Sequence, residues 1–133
     1  MDYFAYGSNL NKKQMKAHCP DAKPRYSAVL PNYQLIFTGW SRILKGATAS
    51  IKPVRGQKVQ GAVWDISESD LRHLDQFEGY PGISNRITLL VLKDDGTAIK
   101  ALTYIKKVQG EEGKPTSEYL AGIRQGYIDW GIE

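Results

Sequence analysis

Between residues 28 and 106 the chain reads as a succession of short strands, with one helical interruption. The strand-like runs lie near Ala28 to Leu30, Gln34 to Thr38, Ala47 to Val54, Val59 to Ile66, Arg86 to Leu92 and Ala98 to Lys106, with Gly and Pro residues punctuating the short elements. Asp94-Asp95-Gly96 between the last two is a hairpin turn signal. A further strand at Tyr3 to Tyr6 opens the chain, and a short helix is expected over Lys12 to His18. Many strands with few helices imply an α+β fold built on a curled sheet or small barrel.

Two helices complete the scheme. One starts after Ser67, whose hydroxyl can cap the first turn with Asp70 three residues on, and runs toward Gly79 as its stop. The other starts near Thr116 or Ser117, just past Pro115, with Leu120, Ile123 and Tyr127 on one face. No repeat, low-complexity stretch or linker divides the 133 residues, so one domain spanning 1–133 is expected. That length can bury a core without disulfides or metal.

Charge and cysteine usage narrow the classes. The net charge of +4 comes from 18 Lys and Arg that are scattered, with no block beyond Lys12-Lys13 and Lys106-Lys107, which reads as a solvated surface rather than a nucleic-acid stripe. A modest positive field also helps gather a small anionic substrate. The lone Cys19, the absence of a signal-like N-terminal segment and the lack of an apolar run long enough to cross a bilayer lead us to expect a cytoplasmic, non-membrane protein.

Two places carry candidate chemistry. The first is Tyr6-Gly7-Ser8-Asn9-Leu10, where an apolar strand breaks into small residues. Gly permits close backbone approach and Ser and Asn add short polar side chains, so successive N–H groups could face an anion. An ordinary strand-to-helix turn with Asn9 or Asn11 as N-cap fits the same residues. The second is Glu78. In the helix after Ser67 the apolar residues are Leu71, Leu74 and Phe77, and Glu78 projects to the side of Leu71, seven positions earlier. A carboxylate facing the core, walled by Tyr80, Pro81 and Ile83, would have its pKa raised toward neutrality, as a group that takes and gives protons requires. At a frayed helix end the same side chain could turn to solvent. Asp75, at the edge of the apolar stripe, reads as a solvated or capping residue. Ser8 lacks a nucleophile-elbow context, His18, Cys19 and His73 complete no zinc set, and no phosphate-cradling glycine motif is present.

Taken together, Tyr-Phe-Ala-Tyr-Gly-Ser-Asn-Leu at 3–10 and Leu-Asp-Gln-Phe-Glu-Gly-Tyr-Pro at 74–81 resemble the two landmarks of the γ-glutamylcyclotransferase (AIG2-like) family. Gly61-Ala62-Val63-Trp64, Leu102-Thr103-Tyr104 and Lys114 to Tyr119 fit in order, so the resemblance spans nearly the whole chain. It implies a small mixed β-barrel flanked by short helices. It also implies that the loop Tyr6 to Leu10 binds a γ-glutamyl group, and that Glu78 moves the protons as the substrate's α-amine attacks its own γ-carbonyl. The products would be 5-oxoproline and a free amine, with no cofactor or metal. Tyr6, Tyr104 and Tyr119 are expected as pocket walls or donors. The partner implied is a small γ-glutamyl compound, with the chain a monomer or weak homodimer.

The chain departs from the family pattern in two respects. Many members carry a tyrosine a few residues past the Glu-Gly, where Ser84 and Asn85 stand here. Some relatives also have a C-terminal extension beyond the position of Glu133, so that side of the pocket is expected to be open. The alternative reading keeps the fold but makes the chain an inactive binding or sensor domain for a small carboxylate.

Overall fold

The structure is a computed structural model and describes residues 1–132. Five strands, β1 (Asp2–Ala5), β2 (Lys23–Ser41), β3 (Gly46–Asp65), β4 (Ser84–Leu92) and β5 (Ala98–Lys106), close into a barrel in the order β1-β3-β2-β4-β5. All pairings are antiparallel except β1 with β5, which run parallel and meet at Tyr3 and Leu102. Closure removes the free edges that an open sheet of this size would expose. Three helices flank the barrel: α1 (Lys12–His18), α2 (Glu68–Glu78) and α3 (Ser117–Trp130). No helix among the described residues is long and apolar enough to cross a membrane.

The four central runs expected from the sequence are two long strands. Pro31, Asn32 and Gly56 look like strand breakers, yet they form one shared irregularity. The register shifts between Pro31 and Tyr33, Asn32 adopts φ 64°, and its Oδ1 accepts the Gly56 N–H at 3.1 Å. A bulge on one strand met by a glycine on its partner bends a hairpin without ending it.

Strand β1 is buried on both faces. Tyr3 and Ala5 pack with Leu10, Met15, Trp64 and Leu74 between barrel and helices, while Phe4 and Tyr6 join Leu30, Ile51, Val63 and Val91 in the barrel interior. Gly61 on β3 makes this possible: a Cβ there would stand 2.3 Å from the Ala5 carbonyl oxygen and 2.5 Å from the Phe4 ring. Helix α2 begins and ends as its sequence demands. Ser67 Oγ accepts the Asp70 N–H while Asp70 accepts the Ser67 N–H, and Gly79 stops the helix in the left-handed region at φ 69°.

Candidate active site

Where β1 leaves the barrel the chain makes a single 3-10 turn, Ser8–Leu10, in which the Leu10 N–H donates to the Gly7 carbonyl and the Asn11 N–H to that of Ser8. Asn11, not Asn9, caps α1 by accepting the Gln14 N–H. Helix α3 pins the turn from outside: Trp130 Nε1 donates to Leu10 O at 2.8 Å and the Lys12 N–H to Asp129 at 2.9 Å. Leu10, expected in the binding loop, lies instead in the core, its side chain fully buried and its N–H already used. The amides of Ser8 and Asn9 precede the first bonded position and have no partner within the turn.

Asn9 is held by its neighbours. Its Nδ2 donates to Tyr3 Oη and its carbonyl accepts from Trp64 Nε1, whereas its Oδ1 is buried with no donor among the described residues. An orphan acceptor of this kind is uncommon in a folded protein and calls for a partner.

The turn forms one wall of a cleft of about 750 Å³, which Tyr6, Gly7, Ser8, Asn9, Tyr104 and Tyr119 line together with Glu78. Helix α2 ends at this cleft, bringing Gln76, Phe77, Glu78 and Gly79 to its edge. Glu78 keeps part of its surface open to the cleft, but its carboxyl is otherwise surrounded by protein and receives no hydrogen bond from the described residues. Burial therefore dominates and pushes it from 4.5 up to about 7, against a smaller opposing pull from Lys106. The partial negative charge at the helix C-terminus acts in the same direction as burial.

The tyrosines around it are locked by hydrogen bonds. Tyr6 Oη donates to Tyr104 O at 2.7 Å, and Tyr119 Oη accepts the Ala49 N–H at 3.0 Å. Burial and the nearby Glu78 charge hold the Tyr6 hydroxyl well above its ordinary range. Of the expected apolar walls only Ile83 lines the cleft. Tyr80 packs against the helix-side core under the Arg86 guanidinium, and Pro81 is exposed. Phe77, expected inward, is 45% exposed and stacks on His18.

Two residues that the sequence reads as solvated belong to this region. Asp75 accepts from Tyr104 Oη at 2.6 Å and pairs with Arg86 at 3.2 Å, so it orients a cleft tyrosine rather than facing solvent. The spacing of Asp75 three residues before Glu78 was the available signal; its partners lie on β4 and β5. Asp75→Ala is expected to destabilise the fold by about 1–3 kcal/mol by stranding Arg86 and the Tyr104 hydroxyl, with Asp75→Asn costing less, measured by urea unfolding. The second is Lys106. It does not belong to a solvated basic pair: its ammonium turns inward to Thr38 O at 2.6 Å and to Thr48 Oγ1, and lines the cleft.

A closed mixed barrel with a single carboxyl poised near neutrality at the wall of its cleft defines a class of small barrel enzymes. A model of the "Gamma-glutamyl cyclotransferase, AIG2-like" family matches residues 3–122. A gamma-glutamylcyclotransferase of Homo sapiens is 30% identical over 135 residues, which cover 98% of this chain and 71% of that protein. A solved gamma-glutamyl cyclotransferase structure superposes with a TM-score of 0.93 at 29% identity, covering 99% of this chain and 80% of the other. YkqA of Bacillus subtilis superposes at 0.82 with 26% identity, over 100% of this chain and 49% of its own. The chain belongs to the γ-glutamyl cyclotransferase, AIG2-like family.

Proposed function

We propose that this enzyme cyclises a γ-glutamyl amino acid or amine to 5-oxoproline and releases the free amine. The observation that carries this reading is the Glu78 carboxyl, in the cleft, without a hydrogen-bond donor among the described residues and raised to about 7. Such a group is split between base and acid at neutral pH, which maximises its use in both directions.

In the proposed reaction the substrate's α-ammonium gives a proton to Glu78, and its nitrogen attacks the γ-carbonyl carbon. The lactam C–N bond forms and the original amide C–N bond breaks as Glu78 hands that proton to the departing nitrogen; Glu78 then takes the second proton of the ring nitrogen and passes it to the freed amine, which leaves as an ammonium. The Ser8 and Asn9 amides, with no partner inside the turn, suit a substrate carboxylate or the developing oxyanion. The ring closes within one molecule, so holding the substrate folded supplies a large share of the acceleration. Every group named here belongs to the chain or to the substrate.

The test is direct. Incubation with a panel of γ-glutamyl dipeptides and γ-glutamyl amines is expected to release 5-oxoproline, followed by chromatography. Saturable binding of these compounds without product from any of them would select a sensor domain instead.

A further inference from the structure

Lys106 presents an unusual state for a cation. It is half-buried at the end of β5, and its ammonium is fixed by the Thr38 carbonyl on β2 and the Thr48 hydroxyl on β3, with the Thr48 carbonyl more distant at 3.4 Å. All of these acceptors are neutral. The ion pairs among the described residues are Met1–Asp65, Arg25–Asp2 and Arg86–Asp75, and Lys106 is in none of them. Charges taken out of water are ordinarily paired, because desolvation is costly for an ion without a counter-charge. An ammonium has three donors; the two short bonds occupy two of them, and the third has only the long contact to the Thr48 carbonyl. Gly39 lies directly beside it, where a Cβ would stand 3.4 Å from Nζ, so the missing side chain leaves the ammonium uncovered on that side.

The charge lining of the cleft points the same way. Its ionisable Lys, Arg, Asp and Glu residues are Arg42, Lys106 and Glu78, so two cations, the Lys106 ammonium held below its ordinary range by burial against a smaller opposing pull from Glu78, face one carboxyl raised to about 7. A γ-glutamyl amino acid carries two carboxylates and one ammonium, whereas a γ-glutamyl alkylamine carries one of each. The cleft complements the first by charge. Lys106 stands on the β2–β3 rim with the exposed Trp40 and Val108, and the departing residue has to leave through the open side of the cleft.

We propose that Lys106 is the specificity-determining residue of this site, receiving the carboxylate of the departing amino acid, so that the enzyme selects γ-glutamyl amino acids over γ-glutamyl amines. This rests on the cyclotransferase reading above. Lys106 forms a charge-assisted hydrogen bond to that carboxylate and takes no part in the proton transfers.

The test compares γ-glutamyl-alanine with γ-glutamyl-ethylamine, which differ by one carboxylate. The parent protein is expected to favour the dipeptide in kcat/KM by about 10- to 100-fold, the range of a hydrogen bond to a charged group. In Lys106→Met that ratio is expected to fall to within about threefold of unity, and in Lys106→Arg to recover most of its value. The ratio cancels any effect that Lys106 exerts through Glu78, which would touch both substrates alike. Lys106→Gln, which keeps a donor for the Thr38 carbonyl, carries the test if the methionine variant does not fold. Equal efficiency on both substrates in the parent, or an unchanged ratio in the neutral variants, overturns the assignment of Lys106 alone. No 5-oxoproline from either substrate overturns the cyclotransferase reading, and this proposal with it.

Discussion

Glu78→Gln is expected to lose about 10²- to 10⁴-fold in kcat while folding as well as the parent, since general acid–base catalysis by one positioned side chain is worth that much. Glutamine keeps the shape and cannot take the proton. The pH dependence provides the sharper signature. In the parent, kcat/KM is expected to rise with pH through about 7 as the Glu78 carboxyl ionises, and the variant should lack that limb.

Stability should move in the opposite sense. Because the folded protein holds the Glu78 proton up to about 7 and the unfolded chain only to about 4.5, the native state binds more protons between those values. The parent is thus expected to lose stability relative to the glutamine variant as pH rises from about 4.5 to 7, with an upper bound of about 3 kcal/mol. Below pH 4.5 the two should be alike. Thermal melts of both proteins across pH 4 to 8 measure this, and a parent that holds or gains stability relative to the glutamine variant over that window would remove Glu78 from the buried, charge-penalised role.

The second large effect is expected at Gly126. A Cβ there would stand 2.5 Å from Leu10 Cβ and 2.8 Å from both Asn11 N and Leu10 C. Backbone cannot yield as a flexible side chain would, so Gly126→Ala has to push α3 off the 3-10 turn. The better helix propensity of alanine, about 1 kcal/mol, offsets part of the strain. Overpacking of this kind costs about 1–3 kcal/mol or more, and a lower Tm is the expected balance. Activity should fall further than stability implies, because the Trp130 to Leu10 bond and the Asp129 contact to Lys12 hold the cleft wall in place. A displacement of about 1 Å can cost 10²-fold in rate. Gly122→Ala, one turn earlier with nothing within 4 Å, is the control and should retain activity with a Tm equal to or above that of the parent, since the propensity gain is unopposed there. Equal behaviour of the two variants would show that close packing of α3 is not what secures the turn.

Much of the molecule is local chemistry and was legible as such. Ser67 with Asp70 and Gly79 set the ends of α2, and the seven-residue spacing from Leu71 gave the direction of Glu78. What escaped was set by distant partners. Pro31, Asn32 and Gly56 read as strand ends because their mutual accommodation spans more than twenty residues of a hairpin. Leu10 sits in a polar-looking motif, yet α3 covers it from the far end of the chain. Asp75 looked unremarkable until Tyr104 and Arg86 came to it from β5 and β4. Lys106 resembled any surface lysine beside another, and the carbonyl of Thr38 on β2 with the hydroxyl of Thr48 on β3 turns it inward.

The parallel seam between β1 and β5 bears on how the chain comes into being. The Tyr6 hydroxyl finds its acceptor 98 residues later and the Phe4 carbonyl its side-chain donor 99 residues later. During synthesis the apolar run Tyr3 to Tyr6 emerges early, and these partners are absent until the last quarter of the chain follows. Long-range pairing of this sort slows folding and leaves unpaired strand exposed meanwhile. The strand that leads into the 3-10 turn thus waits for these last partners until β5 has followed.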